Sequence, residues 1–156
     1  MIKINLICIG DIKEKYLRDA IQEYSKRISR FADLKIIELK EHIAQSSSKA
    51  DIMIALKKDA EEISRHMKGH CFCLDINAKM FSSEEFAKKI EKTSLSNSEI
   101  SFIIGASNGI DEQLKAICHE RISFSPMTFP HQLMRVIFLE QLYRAFTILN
   151  NISYHK

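Results

Sequence analysis

An apolar strand runs directly into a glycine-bounded turn in the segment Ile100-Ser101-Phe102-Ile103-Ile104-Gly105-Ala106-Ser107-Asn108-Gly109. A nearly continuous apolar run of this length is typical of a strand that is covered on both faces. Glycines after such a strand permit a tight turn or a close approach of the backbone to a ligand. A short helix is predicted to follow over Asp111–Cys118. Strand, turn and helix in this order are the repeating unit of an α/β fold.

The same alternation extends in both directions along the chain. Further strands are predicted over Ile2–Ile9, Leu34–Leu39, Cys71–Ile76 and Arg121–Phe124. Helices are predicted over about Lys13–Arg30, after Ser46-Ser47-Ser48, from Ser83 to near Thr93, and from about His131 to Asn150. We therefore predict one α/β domain of residues 1–156, with a mostly parallel sheet and helices on both faces.

Ligands of such sheets bind beyond the carboxyl ends of the strands. That rule selects the loops Leu74–Asn77, Gly105–Gly109 and Ser125–Pro130. The third loop is stiff because each of its two prolines restricts its own φ and the residue before it. Its backbone groups suit the polar edge of a small molecule, although a rigid strand-to-helix connection explains the prolines equally well. Likewise, Gly105–Gly109 is either a ligand-binding loop or a simple turn.

Composition excludes several classes of protein. Of the 156 residues, 46% are hydrophobic and 28% are charged, which is ordinary for a folded domain and argues against disorder. Charges interrupt every apolar run, so no membrane span is predicted. The net charge of +3 permits a nucleic-acid partner without requiring one. The four cysteines lack the spacing of a disulfide framework, which suggests a reducing cytoplasm.

The last predicted helix is apolar around almost its whole circumference, whereas a surface helix has a polar face. We predict that a symmetric dimer covers it, with a central core helix as the alternative. Arg135 and Arg144 lie within this apolar helix, and a buried arginine needs an anionic or hydrogen-bonding partner. Glu140 precedes Arg144 by one helical turn, so the two can form a simple ion pair.

Two other groups of residues suggest sites but have ordinary explanations. His66, His70, Cys71 and Cys73 are potential metal ligands, yet their spacing does not match that of zinc sites, so no metal is predicted. The first helix carries basic side chains that can touch phosphates. They alternate with Glu14, Asp19 and Glu23, which favours a solvated face.

The C-terminal third resembles the family of ribosomal RNA large-subunit methyltransferase H. The resemblance rests on four blocks: Phe102 to Gly109, Ser123 to His131, Glu140-Gln141-Leu142-Tyr143-Arg144-Ala145, and the terminal Tyr154-His155-Lys156. It implies a SPOUT-class domain with a C-terminal trefoil knot, a homodimer, and S-adenosylmethionine as methyl donor. It also implies N3-methylation of a pseudouridine in large-subunit (23S) ribosomal RNA, on the assembled ribosome. Two alternatives stay open: a non-catalytic ribosome- or RNA-binding module, and an enzyme that acts on a small molecule.

The resemblance also assigns site residues. It implies a cofactor pocket formed by Leu74, Gly105, Ala106, Ser125, Pro126, Met127, Thr128, Phe129 and Pro130. The family usually has a second glycine at position 106, and an alanine there is strained if φ must be positive. For catalysis we expect Arg144 to stabilise negative charge on the base, His155 to take the proton or orient the base, and Tyr154 to stack on it or donate a hydrogen bond. The tail is expected to act across the dimer.

Overall fold

Five strands alternate with five helices in the computed structural model, which describes all residues 1–156. In chain order the elements are β1 (Ile2–Ile9), α1 (Lys15–Ile28), β2 (Ala32–Leu39), α2 (Lys49–Ser64), β3 (His70–Leu74), α3 (Ser83–Ser96), β4 (Glu99–Ile104), α4 (Glu112–Ile117), β5 (Glu120–Ile122) and α5 (His131–Leu149). Every predicted strand and helix is therefore present.

Two strands end earlier than predicted. β3 stops at Leu74 rather than Ile76, and β5 stops at Ile122 rather than Phe124. The backbone N–H of Asp75 still donates to Ile122 O at 2.9 Å, but that of Ser123 donates to the loop residue Lys79 at 3.0 Å. Ile76 and Phe124 continue the apolar pattern of the sequence after the chain has left the strands, so hydrophobicity alone placed both ends too late.

All strands are parallel, and they lie side by side in the order β2-β1-β4-β3-β5. Leu6 of β1 pairs with Ile36 on one side and with Phe102 of β4 on the other. Because all strands point the same way, the turns after β4, β3 and β5 meet at one edge of the sheet. The parallel α/β architecture predicted from the sequence is confirmed.

Two hydrophobic clusters cover the two faces of the sheet, because successive side chains of a strand point to opposite faces. One face packs Leu6, Phe72 and Phe102 against apolar side chains of α1, α3 and α5. The other packs Ile7, Cys73 and Ile103 against α2 and α4. The prediction of helices on both faces is confirmed, while the trefoil knot stays a prediction. No helix is long and apolar enough to cross a membrane.

Helix α5 lies between α1 and α3 and is covered on only part of its circumference. Phe138, Leu139 and Leu142 are fully buried in the core. Leu133 is 38% exposed, and Val136 and Ile137 are half-buried. The chain itself therefore leaves an apolar strip of α5 uncovered, and the dimer expected to cover it stays a prediction.

Arg135 fastens the start of α5 to the carboxyl ends of β1 and β2. The residue is 1% exposed, and its Nη2 donates to Ile9 O at 2.8 Å and to Gly10 O at 2.7 Å. Its Nη1 lies 2.8 Å from the Glu38 carboxylate. The requirement that a buried arginine has an anionic or hydrogen-bonding partner is thus met, with only Nε left unpaired.

We predict that Arg135→Met lowers the free energy of unfolding by about 2–4 kcal/mol, because the carbonyls of Ile9 and Gly10 lose their donor at the buried end of the guanidinium. Urea denaturation at one fixed protein concentration measures the change. Arg65→Met is the matched control: its ion pair with Glu62 is exposed, so its effect should stay within about 0.5 kcal/mol. Equal losses in the two variants would contradict the assignment.

Candidate functional site

A cavity of about 450 Å³ opens at the carboxyl ends of β4, β3 and β5. That volume is within the range of about 300–1,000 Å³ that is typical of small-molecule sites. Its wall is formed by residues 74–77, 104–110, 122–125 and 127–129, together with Lys115, His131 and Met134. The three loops that the parallel-sheet rule selected therefore meet around one space.

The structure places most of the predicted cofactor residues in this wall. Those that line the cavity are Leu74, Gly105, Ala106, Ser125, Met127, Thr128 and Phe129. Pro126 and Pro130 do not line it. Pro130 instead caps the N-terminus of α5, where its carbonyl accepts from Met134 N at 2.9 Å. The part that each residue plays in binding stays a prediction.

Glycine is required at position 105 by close packing. A Cβ there would lie 2.4 Å from Gly109 O and 2.7 Å from Ile110 Cγ1. Gly109 closes the turn: its φ is +84°, and its N–H donates to Ala106 O at 2.9 Å. Asn151 is the only non-glycine residue with positive φ, so Ala106 carries its methyl group without backbone strain.

Sequence reasoning selected the loop that contains Asp75, but it named none of the polar residues Asp75, Lys115 and His131 as site residues. Asp75 follows β3 directly, and its side chain is 7% exposed with Lys115 Nζ at 3.5 Å. His131 enters the wall from the first turn of α5. An acidic residue at the end of an apolar strand is a signal that could have identified Asp75, whereas nothing in the sequence relates Lys115 to this edge of the sheet.

The residues predicted to be catalytic form a second cluster. Arg144 binds Glu140 through two contacts, Nη2 to Oε1 at 2.7 Å and Nε to Oε2 at 3.3 Å. The Tyr154 hydroxyl donates to the same Glu140 Oε1 at 2.9 Å, and the Arg144 guanidinium lies 4.8 Å from the Tyr154 ring centroid. The His155 Nδ1 lies 3.2 Å from Arg144 Nη1. The helical pair that the sequence allowed is present, but it belongs to a larger network.

This second cluster lies away from the cavity of its own chain. Arg144 follows Met134, a cavity residue, by ten positions on the same helix. At 1.5 Å per residue the two are separated by about 15 Å along the axis. Within one chain, the predicted catalytic residues and the predicted cofactor pocket are therefore two separate sites.

Hydrogen bonding and burial hold the members of this cluster in defined charge states. The bond to Glu140 raises the pKa of Arg144 above its ordinary value, so the guanidinium stays cationic. Burial, followed by the hydrogen bond to Glu140, raises the pKa of Tyr154 to about 12. The cluster therefore offers a permanent cation and a protonated phenol near neutral pH.

The side chains considered as potential metal ligands make other contacts in the structure. No group of three His, Cys, Asp or Glu side chains is arranged to hold a metal ion. The His70 ring stacks on His119 at 4.5 Å, and His119 Nδ1 accepts from Cys71 N at 3.0 Å. Cys71 and Cys73 are free thiols, and both are buried among the apolar side chains of the core.

Comparison with known proteins gives consistent matches over nearly the whole chain. A family model described as "Predicted SPOUT methyltransferase" matches residues 2–155. The chain is 51% identical to a Methanococcus maripaludis protein named "Putative ribosomal RNA large subunit methyltransferase H", with 98% of this chain and 99% of the relative covered. It is 43% identical to the Caldicellulosiruptor saccharolyticus "Ribosomal RNA large subunit methyltransferase H", with the same coverage.

A solved structure supports the fold. The chain resembles "a probable methylase family protein" from Haemophilus influenzae with a TM-score of 0.57 at 14% identity. The match covers 98% of this chain and 70% of that one. At this identity the likeness bears on the fold alone.

We predict that Gly105→Ala lowers the free energy of unfolding by about 1–3 kcal/mol, because the added methyl group must displace the backbone of Gly109. Thermal or urea unfolding at fixed protein concentration measures the loss. Ser107→Ala in the same loop is the control, since its side chain is exposed and its removal should change stability by less than about 0.5 kcal/mol. A Gly105→Ala variant as stable as that control would show that the loop is not close-packed.

Proposed function

The chain belongs to the SPOUT methyltransferase family and, within it, to the ribosomal RNA large subunit methyltransferase H group, and from this membership we propose its reaction. The protein transfers a methyl group from S-adenosylmethionine to N3 of a pseudouridine in large-subunit ribosomal RNA. The observation that carries the proposal is the cavity formed by three strand-end loops, with an arginine and tyrosine cluster on the helix that borders it.

The cavity wall suits S-adenosylmethionine. Apolar side chains such as Leu74, Ile122 and Phe129 can pack on a flat adenine ring. Residues 105–109, 125 and 127–129 line the cavity, and their backbone N–H and C=O groups can bond the polar edges of the nucleoside and its amino-acid part. Bound there, the donor supplies an electrophilic methyl group.

The second cluster suits the acceptor base. The N3–H of pseudouridine lies between two carbonyls, so loss of its proton leaves negative charge on the ring oxygens. Arg144 is a fixed cation that can stabilise this charge. The Tyr154 ring offers a surface for base stacking, and Tyr143, 4.8 Å away, extends it towards Arg27 of α1. His155 either takes the N3 proton or orients the base.

The two sites meet only if two subunits combine. Reacting atoms must come within about 3–3.5 Å, whereas cavity and cluster are about 15 Å apart along α5. The uncovered apolar strip of α5, which contains Leu133, Val136 and Ile137, lies beside the cavity and provides a surface for a second copy. We therefore propose a homodimer in which the Arg144 cluster of one subunit faces the cavity of the other.

The proposed substrate is the large-subunit ribosomal RNA within the assembled ribosome. A net charge of +3 gives one chain little electrostatic attraction for naked RNA. Recognition of a shaped ribosomal surface requires less of this attraction. Methyl transfer from labelled S-adenosylmethionine to whole ribosomes and to isolated RNA, followed by mass spectrometry of the nucleosides, tests the whole proposal. A non-catalytic module would give no calorimetric heat with the donor, and a small-molecule enzyme would turn over without ribosomes.

We predict that Arg144→Ala lowers kcat by about 100- to 1,000-fold, the usual cost of losing a group that stabilises developing negative charge. Calorimetry should show S-adenosylmethionine binding within about twofold of wild type, since Arg144 lies outside the cavity. Arg65→Ala, an exposed arginine on the far face of the sheet, serves as the control. Unchanged turnover in Arg144→Ala would remove this residue from the mechanism.

We further predict that two inactive variants complement each other. Gly105→Val fills the turn that lines the cavity, and Arg144→Ala removes the cation. Co-expressed in equal amounts, they should recover about a quarter of wild-type activity, because half of the dimers are mixed and each mixed dimer has one intact site. Purification through two different affinity tags isolates the mixed species. No recovery in the mixed dimer would contradict a site shared between subunits.

A further inference from the structure

The C-terminal tail is held by an acidic residue from a distant element. Glu84 lies in the first turn of α3, and its Oε1 is 2.7 Å from His155 Nε2. The neighbouring Ser83 donates to Gln141 of α5 at 2.8 Å, which keeps this turn beside the Arg144 cluster. His155 is thus bound on both ring nitrogens, by Arg144 at Nδ1 and by Glu84 at Nε2.

These two partners determine where the histidine carries its proton. A guanidinium can only donate, so Nδ1 of His155 must accept from Arg144 and carries no hydrogen. A neutral imidazole then has its hydrogen on Nε2, where it donates to the Glu84 carboxylate. The hydrogen bond from His155, the largest cause, lowers the pKa of Glu84, so Glu84 is an anion near neutral pH. An additional proton on Nδ1 would point at the Arg144 N–H group.

We propose that Glu84 is a positioning residue for methyl transfer. In this proposal His155 bridges Glu84 and Arg144 through hydrogen bonds and does not accept the N3 proton. This inference rests on the proposed function, in which Arg144 and Tyr154 face the base. The lone pair that would take the proton is already bound to Arg144, so the proton leaves N3 for solvent water.

The contact between His155 and Glu84 connects the residues that follow α5 to a second helix. Termini fray unless they are tied down, and only seven residues follow α5. Tyr154 is fixed by its hydroxyl on Glu140 and by ring contacts with Arg144 and Tyr143. Glu84 adds the one side-chain bond that connects the tail to α3. Without it, Arg144 loses the group that orients its Nη1, and Tyr154 loses its neighbour in sequence.

The test compares Glu84→Ala with Glu91→Gln, a change at an exposed position later on the same helix. We expect Glu84→Ala to lower kcat on ribosomes by about 10- to 100-fold, as is usual when a group that orients a functional residue is lost. S-adenosylmethionine affinity and Glu91→Gln activity should match those of wild type. Glu84→Ala activity within twofold of wild type would overturn the inference.

Two readouts distinguish positioning from a general loss of stability. Nitrogen-15 NMR of wild type should show His155 as the Nε2–H tautomer, and Glu84→Ala should lose that signature. Burial and the hydrogen bond to Glu140 raise the pKa of Tyr154 to about 12. Release of the tail from α3 in Glu84→Ala should expose the phenol and lower this pKa, as followed by a Tyr154→Phe difference spectrum. An Nδ1–H tautomer in wild type, or an unchanged Tyr154 titration in Glu84→Ala, would contradict the bridging role of His155.

A substitution of the histidine separates the two roles. His155→Gln keeps an acceptor and a donor but cannot take a proton near neutral pH. It should stay within about tenfold of wild-type kcat, while His155→Ala should fall as far as Glu84→Ala. If His155→Gln is as inactive as His155→Ala, His155 is the base and the inference fails. If wild type itself methylates no ribosomal RNA, the proposed function fails instead.

Discussion

The buried guanidinium of Arg135 holds α5 against the carboxyl ends of β1 and β2, and the geometry of both sites depends on that contact. Residues just before Arg135 form part of the cavity wall, and Arg144 lies later on the same rigid helix. An α-helix of this length bends little. Fixing its start at the sheet therefore fixes the distance between the proposed donor site and the proposed acceptor site.

In the proposed mechanism, that distance is what requires a second subunit. An ordinary pocket enzyme brings donor and acceptor together within one chain, whereas the length of α5 separates the cavity from the Arg144 cluster in this chain. The ion pair between Glu140 and Arg144 has a related consequence. The Glu140 carboxylate offsets part of the positive charge of Arg144. In the proposed mechanism the ion pair therefore serves to orient the guanidinium as well as to stabilise charge on the base. A network that also holds Tyr154 and His155 directs Arg144 at one point in space.

Sequence patterns predicted the elements well because short, nearly continuous apolar runs alternate along the chain with longer segments that have helical spacing. They could not predict strand order, because alternation alone does not say which strands are neighbours. They extended β3 and β5 too far, since Ile76 and Phe124 are apolar but lie beyond the ladder. The Glu140–Arg144 pair followed from helical spacing. The Glu84–His155 contact joins residues 71 positions apart, and only the packing of α3 against α5 brings them together.

Position 106 shows how a departure from a family pattern is to be judged. A second glycine there would be essential only if the backbone required positive φ or could not accommodate a methyl group. Neither condition holds, because Ala106 lies outside the left-handed region and its side chain packs with Ile103 and Leu114 in the core. Gly105 alone provides the close approach to Gly109 O. Ala106 therefore gives no physical reason to prefer the alternative of a non-catalytic module, and it leaves the backbone of this turn unstrained.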